Sequence, residues 1–221
     1  MLLKAASIAD EAFIHLLEDI KPGCTERSLA GRLEYSYLRA LGSEKASFDT
    51  IVASGVRSAL PHGMASDKVI EVGDFITFDF GAVYKGYHSD MTRTLVVGLA
   101  NSWQQEIYTI VEEAQRKGLK AAEAGMTGRE LDAIVRDSIT ACGYGDYYVH
   151  GTGHGVGLEI HEMPMINKRG TTVLQTGMIF TIEPGIYIPG KGGVRIEDTV
   201  VLTEDGARAL NGVKKQLIEI V

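Results

Sequence analysis

Cysteine is nearly absent: Cys24 and Cys142 are the only two in 221 residues, and they lack CxxC spacing. That excludes a disulfide framework and leaves two buried thiols in a reducing compartment as the expectation. No run approaches the roughly 18 apolar residues of a membrane span. The opening MLLKAASIADEAF lacks the basic, apolar and cleavage regions of a secretory leader, so a cytoplasmic location is expected. Positive charge is in the minority, 22 Lys and Arg against 29 Asp and Glu, a net charge of −7. A broad nucleic-acid face is therefore not expected. There is no GxGxxG after a strand, no GxxxxGK[ST] and no GxSxG, which sets aside dinucleotide, phosphate-loop and serine-hydrolase sites. What remains, 45% hydrophobic and 23% charged, is ordinary globular composition, and no linker or low-complexity segment divides it.

The chain repeats itself once. GCTERSL at Gly23–Leu29 and GMTGREL at Gly125–Leu131 share G-x-T-x-R-x-L at an offset of 102 residues. Each precedes an amphipathic stretch that ends at a glycine, Gly42 or Gly143. GDFITFD at Gly73–Asp79 and GMIFTIE at Gly177–Glu183 match at an offset of 104. Thr127 with Glu130, and Ser102 with Gln105, read as capping boxes that open helices. Ala9, Phe13, Leu16, Leu17 and Ile20 follow helical spacing. Each half therefore reads helix, helix, strand hairpin, and helices in series with antiparallel strands predict an α+β fold. A pseudo-twofold domain would build its site where the halves meet.

Strand parity tells which side chains converge. Side chains alternate across a strand, so Phe75, Thr77 and Asp79 share a face. Ile179, Thr181 and Glu183 do the same, as do Arg195, Glu197 and Thr199. His88, Asp90, Thr92 and Thr94 form a fourth set, with His88 a candidate for the pocket wall. Ser89 and Asp198 have the opposite parity. Each hairpin can thus present two carboxylates to one side.

Asp79, Asp90, Glu183 and Glu197, with His154, form a candidate two-metal site. Four converging carboxylates repel one another, and two divalent cations would cancel their charge. Hard oxygen ligands with one imidazole suit manganese first, with cobalt, zinc or iron as alternatives. His154 lies in VHGTGHGVGLEIHEMP, which holds His150, His154 and His161 among four glycines. The glycines argue for a turn whose backbone passes close to a ligand. His62, in ALPHGMAS shortly before the first hairpin, is a further pocket candidate. Arg195 shares its strand face with Glu197, so an ion pair with a ligand carboxylate is expected.

In order, DFGAVYKGYHSDMTRT, HGTGHGVGLEIHE, TIEPGIY and GVRIEDTVVLTEDG resemble the metallopeptidase domain shared by methionine aminopeptidases, Xaa-Pro aminopeptidases and Xaa-Pro dipeptidases, the pita-bread fold. The resemblance runs from Ala5 to about Ala209. It implies a single pseudo-twofold catalytic domain over 1–221, with halves of about 1–100 and 101–221 and helices packed on a curved antiparallel sheet. It implies that Asp90 and Glu197 bridge two metals, that Asp79 completes one shell, and that His154 and Glu183 complete the other. Glu183 would also shuttle protons, His161 would stabilise the oxyanion, and His62 would assist the departing amine.

His150, four residues before His154, and Arg195, two before Glu197, match the proline-specific branch. The resemblance places both at the pocket rim, off the metals, as substrate-binding residues that favour proline. The five ligands set aside the metal-free creatinase branch. The expected activity is that of a dinuclear metal-dependent exopeptidase cleaving the amino-terminal Xaa-Pro bond of a peptide. The alternatives are a methionine aminopeptidase-like enzyme and a non-catalytic binding module of the same fold. Full-length Xaa-Pro peptidases usually carry a smaller amino-terminal domain that helps form a dimer. Here the chain starts at the first helix of the catalytic domain, and a homodimer is the expected assembly.

Overall fold

The computed structural model describes residues 1–221. Caps and apolar spacing account for its helices. α1 (Leu2–Leu16) buries Ala5, Ala9, Ala12, Phe13 and Leu16 along one face. α2 (Glu26–Gly31) starts at Thr25, whose hydroxyl accepts the Ser28 N–H while the Ser28 hydroxyl accepts that of Thr25. It runs on as a π-helical stretch, Arg32–Leu38. α4 (Gly128–Ala141) opens on Thr127 and Glu130, as its sequence predicts. The cap of α3 (Ser102–Ala121) lies one residue earlier than the Ser102–Gln105 pair: Asn101 and Gln104 exchange the two bonds. Both pairs satisfy the spacing rule. Asn101 is the residue in extended backbone, so its side chain reaches forward to the free N–H groups, while Ser102 is already helical.

The strands are β1 (Ile51–Ser54), β2 (Phe75–Phe80), β3 (Val83–Tyr84), β4 (Tyr87–His88), β5 (Met91–Val97), β6 (Gly153–Gly155), β7 (Glu162–Ile166), β8 (Ile179–Ile182), β9 (Gly185–Ile188), β10 (Gly192–Arg195), β11 (Glu197–Thr203), β12 (Gly206–Ala209) and β13 (Ile218–Ile220). One sheet has the order β1-β2-β5-β11-β8-β6-β7, with β12 added on β11 and β13 on β5. β3–β4 and β9–β10 are small separate hairpins. The duplication is therefore strand, small hairpin, strand: β2 to β5, then β8 to β11. The two repeats meet where β5 pairs with β11 at Glu197–Thr92 and Asp198–Met91.

One pairing departs from an antiparallel sheet: β13 runs parallel to β5 at Leu95–Val97. β11 has left β5 by then to pair with β8, and the C-terminal strand takes up backbone groups that would otherwise be a bare edge.

Parity then divides the sheet into two faces. Ile76, Phe78 and Phe80 join the core under the first helices, with the Phe13 ring 5.7 Å from both Phe78 and Phe80. Phe180 and Ile182 do the same in the second half, beside Leu131. Thr77, Asp79 and Thr181 turn to the opposite face. Asp198, of opposite parity to Glu197, is fully buried on the helix side. There it is neutralised by Arg93 at 2.7 Å and Lys215 at 2.5 Å and accepts a bond from Gln115. The expectation of two buried thiols is corrected: Cys24 is half-buried and Cys142 exposed, because Cys142 is the C-cap of α4 rather than part of its apolar face.

Replacing the cap tests the corrected helix start. Asn101→Ala should cost about 1 kcal/mol in urea unfolding. Ser102→Ala should stay within about 0.5 kcal/mol.

Candidate metal centre

Asp79 ends the pocket-facing row of β2, Asp90 lies just before β5, Glu183 follows β8 and Glu197 opens β11. His154 is the centre of β6. The expected turn around His154 is a three-residue strand instead, with a bulge between His154 and Gly155. Glycine permits it: a Cβ on Gly153 would sit 1.9 Å from the Thr181 carbonyl oxygen, and one on Gly155 would sit 2.1 Å from that of Met163. The strand is squeezed between β7 and β8, which pushes the imidazole toward the carboxylates.

These five residues line one cavity of about 300 Å³, together with His62, His150, His161 and Arg195. The His154 Nε2 atom is 3.5 Å from Asp90 Oδ2 and 3.5 Å from Glu183 Oε1. Its Nδ1 donates to the Gly155 carbonyl at 3.1 Å, which leaves Nε2 with a free lone pair toward the acids. Ligand atoms of Asp90, His154 and Glu197 all lie within 4.8 Å of one another. Glu197 Oε2 accepts from the Thr92 hydroxyl at 2.5 Å.

Burial is the first cause that drives Asp90 and Glu197 well above the usual carboxylate range, and the neighbouring acids add to it. Glu183 is raised for the same first reason. Burial lowers His150, His154 and His161, which favours neutral imidazoles.

Arg195 corrects one expectation. It is not at the rim but 3% exposed, beneath Asp79, with which it pairs at 2.6 Å. Its other N–H groups bind the Thr92 hydroxyl, the Tyr187 hydroxyl and the Pro61 carbonyl. A guanidinium with three neutral acceptors and a carboxylate partner is stable where a free one would not be. Instead, His62 and His161 are exposed at the mouth, and His150 is half-buried. The His161 ring lies 4.2 Å from that of His154. His88 does not line the cavity: the break between β4 and β5 turns it to Ser47, 2.8 Å from its Nδ1.

Tyr187 was not singled out in the sequence, although it closes the motif TIEPGIY. His150 Nδ1 donates to the Gly151 carbonyl, so its Nε2 accepts from the Tyr187 hydroxyl at 2.8 Å. Tyr187 in turn accepts from Arg195 at 2.8 Å. Burial raises the Tyr187 hydroxyl to about 12, so it stays protonated and can donate. Thr92 and Thr181 are likewise supports: Thr181 accepts the His154 N–H and donates to Glu183.

The donor set fits divalent cations. Asp79 Oδ1 and Asp90 Oδ1 are buried and have no hydrogen-bond partner. Unpartnered carboxylate oxygens of this kind are costly to ionise unless a cation meets them.

A duplicated α+β domain that gathers carboxylates and histidines at its junction has the framework of a metallohydrolase. The chain belongs to metallopeptidase family M24, whose profile matches residues 1–204. It is 56% identical over 215 residues to the Xaa-Pro dipeptidase of Pyrococcus furiosus, covering 97% of this chain and 62% of that protein. The solved Xaa-Pro dipeptidase from Bacillus anthracis superposes with a TM-score of 0.97 at 56% identity, covering 99% of this chain and 61% of that one. An X-Pro aminopeptidase from Thermotoga maritima does so at 0.96 and 46%, covering 99% and 62%. The chain thus spans about three fifths of the length of the relatives it matches.

The raised carboxylates give a signed prediction for metal-free protein. A folded carboxylate held above the ordinary value of about 4 binds protons that the unfolded chain has released. The stability those protons carry is complete below that value and is lost as pH rises through the raised one. In chelator, Glu197→Gln, which cannot ionise, should therefore gain Tm relative to the parent as pH rises from about 4 to 7. Where added manganese raises the Tm of the parent, the same variant should lose most of that increase. A Tm difference that shrinks with pH would contradict this account.

Proposed function

We propose that this chain is a dinuclear metal-dependent exopeptidase that removes an amino-terminal residue ahead of proline. The observation that carries it is one small cavity bordered by four carboxylates, His154 and three further histidines. Asp79, Asp90, His154, Glu183 and Glu197 would hold two divalent ions, manganese before cobalt, zinc or iron. Bound there, the ions would supply Lewis acidity and lower the pKa of water.

The remaining steps belong to the chain's own groups. Glu183, its carboxyl raised by burial, would accept a proton from the attacking water and return it toward the leaving amine. His161, neutral and at the mouth, would donate to the oxyanion that forms on the scissile carbonyl. The amide nitrogen of proline carries no hydrogen. It therefore gains nothing from an acceptor and needs one proton as it leaves, and His62 would relay to it the proton that Glu183 took from the water. His150, held by Tyr187 and through it by Arg195, would form the wall against which the proline ring packs. A homodimer in the cytoplasm is part of the same proposal, and light scattering tests the assembly.

The test compares manganese-reconstituted protein on Ala-Pro, Ala-Pro-Ala and Met-Ala-Ser. Cleavage of the proline peptides should exceed that of Met-Ala-Ser. His161→Ala should lower kcat by about 100-fold or more at unchanged metal content. Hydrolysis of Met-Ala-Ser alone would replace the proline reading with a methionine aminopeptidase, and no turnover with any ion would leave a binding module.

A further inference from the structure

Two buried carboxylates outside the cavity occupy matching roles in the two halves. Glu26, on α2, is 0% exposed, and Asp132, on α4, is 1% exposed. Neither borders the cavity. One Glu26 oxygen, Oε1, accepts both the N–H of Ser54 at 2.7 Å and its hydroxyl at 2.9 Å. One Asp132 oxygen, Oδ1, accepts both the N–H of Thr152 at 3.1 Å and its hydroxyl at 2.8 Å.

Each acid also has its own arginine. Arg57 reaches Glu26 through Nε at 3.0 Å, and Arg136 reaches Asp132 through Nε at 3.0 Å. The arginines then use their remaining N–H groups on backbone carbonyls. Arg57 binds that of Met64 at 2.6 Å. Arg136 binds those of Tyr148 at 2.9 Å and His150 at 2.7 Å.

The segments so fixed are the ones that carry the cavity histidines. His62 lies between Arg57 and Met64, and Glu26 also fastens Ser66 on the far side through its N–H and hydroxyl. His150 and His154 flank Thr152, and the Thr152 carbonyl accepts the Glu183 N–H at 2.8 Å. A buried carboxylate with every oxygen engaged and an arginine alongside is rigid, because moving any partner would strand a charge away from water.

We propose that Glu26 and Asp132 are positioning residues: Asp132 with Arg136 sets His154 and Glu183, while Glu26 with Arg57 sets His62. The two acid–arginine pairs are not repeated positions, since the offset of 102 residues puts Glu26 opposite Gly128; each half reaches the same arrangement behind its histidines from a different place on its helix. The roles differ because the histidines differ. Asp132 governs the cation-holding side and Glu26 governs the histidine offered to the leaving amine, a division that rests on the reading of the site given above.

The experiment uses the full chain with Asp132→Asn, Thr152→Val, Glu26→Gln and Ser54→Ala. Three readouts are manganese affinity by calorimetry, kcat and KM on Ala-Pro-Ala, and Tm in chelator. Asp132→Asn and Thr152→Val should weaken manganese binding roughly 10- to 100-fold. Glu26→Gln and Ser54→Ala should hold that affinity within about twofold yet lower kcat by about tenfold or more, with KM moved far less.

Thr152→Val and Ser54→Ala leave both acid–arginine pairs in place, so they decide the matter if the charge variants do not fold. Variants that lose only Tm, with parental affinity and kcat, would reduce the pairs to plain scaffolding and overturn the proposal. Equal loss of manganese affinity in both halves would overturn the division of roles. A parent that binds manganese but cleaves no Xaa-Pro peptide would sink the proposed function, while the affinity arm still decides the role of Asp132. A parent that binds no manganese would overturn both.

Discussion

Asp79, Asp90, Glu183 and Glu197 share one cavity of about 300 Å³, and their mutual repulsion there constrains everything around them. Burial is the largest cause that holds Asp90 and Glu197 well above the ordinary carboxylate range, and Asp79 and Glu183 push both further. Arg195 relieves only Asp79 directly. Two anionic oxygens, on Asp79 and Asp90, have no partner within the protein. Ionising such an arrangement is costly unless cations enter it, and the same repulsion would favour ions of high charge.

Holding the acids together against that repulsion falls to apolar packing and to charges kept on the other side of the sheet. Phe78, Phe80 and Phe180 anchor the strands to the helices, so the alternate positions cannot turn away. Asp198, one residue from Glu197, is kept out of the cavity by parity and neutralised by Arg93 and Lys215. Arg93 also binds the carbonyls of Glu197 and Val213, which ties the first half, the second half and the C-terminal segment at one buried point. The cavity therefore lies where two repeats are locked together rather than on either alone.

Much of this was legible in the sequence because it follows from period and spacing. The paired Gly-x-Thr-x-Arg-x-Leu segments and the paired hairpins gave the duplication, and a period of two was enough to place Asp79, Glu183 and Glu197 on the cavity side. His88 escaped that reasoning because parity holds only within a continuous strand, and the chain breaks between β4 and β5. The strand at Gly153–Gly155 looked like a turn because glycine has low propensity for any regular element; close approach of neighbouring backbones, invisible in sequence, required it. Arg195 was expected at the rim from the resemblance to the proline-specific branch; its burial depends on acceptors from Pro61, Thr92 and Tyr187, far apart along the chain. Asp132 and Glu26 carry no signal in spacing or parity, and only the fold brings Thr152 and Ser54 to them.

The central claim is that the cavity is built to hold two divalent cations between the half-repeats. Anomalous diffraction from crystals of this chain soaked in manganese tests it most directly. The account predicts two peaks inside the cavity, with oxygens of Asp90 and Glu197 facing both and the His154 Nε2 atom facing one. A cavity without anomalous density at saturating manganese, or peaks confined to other parts of the molecule, would contradict it.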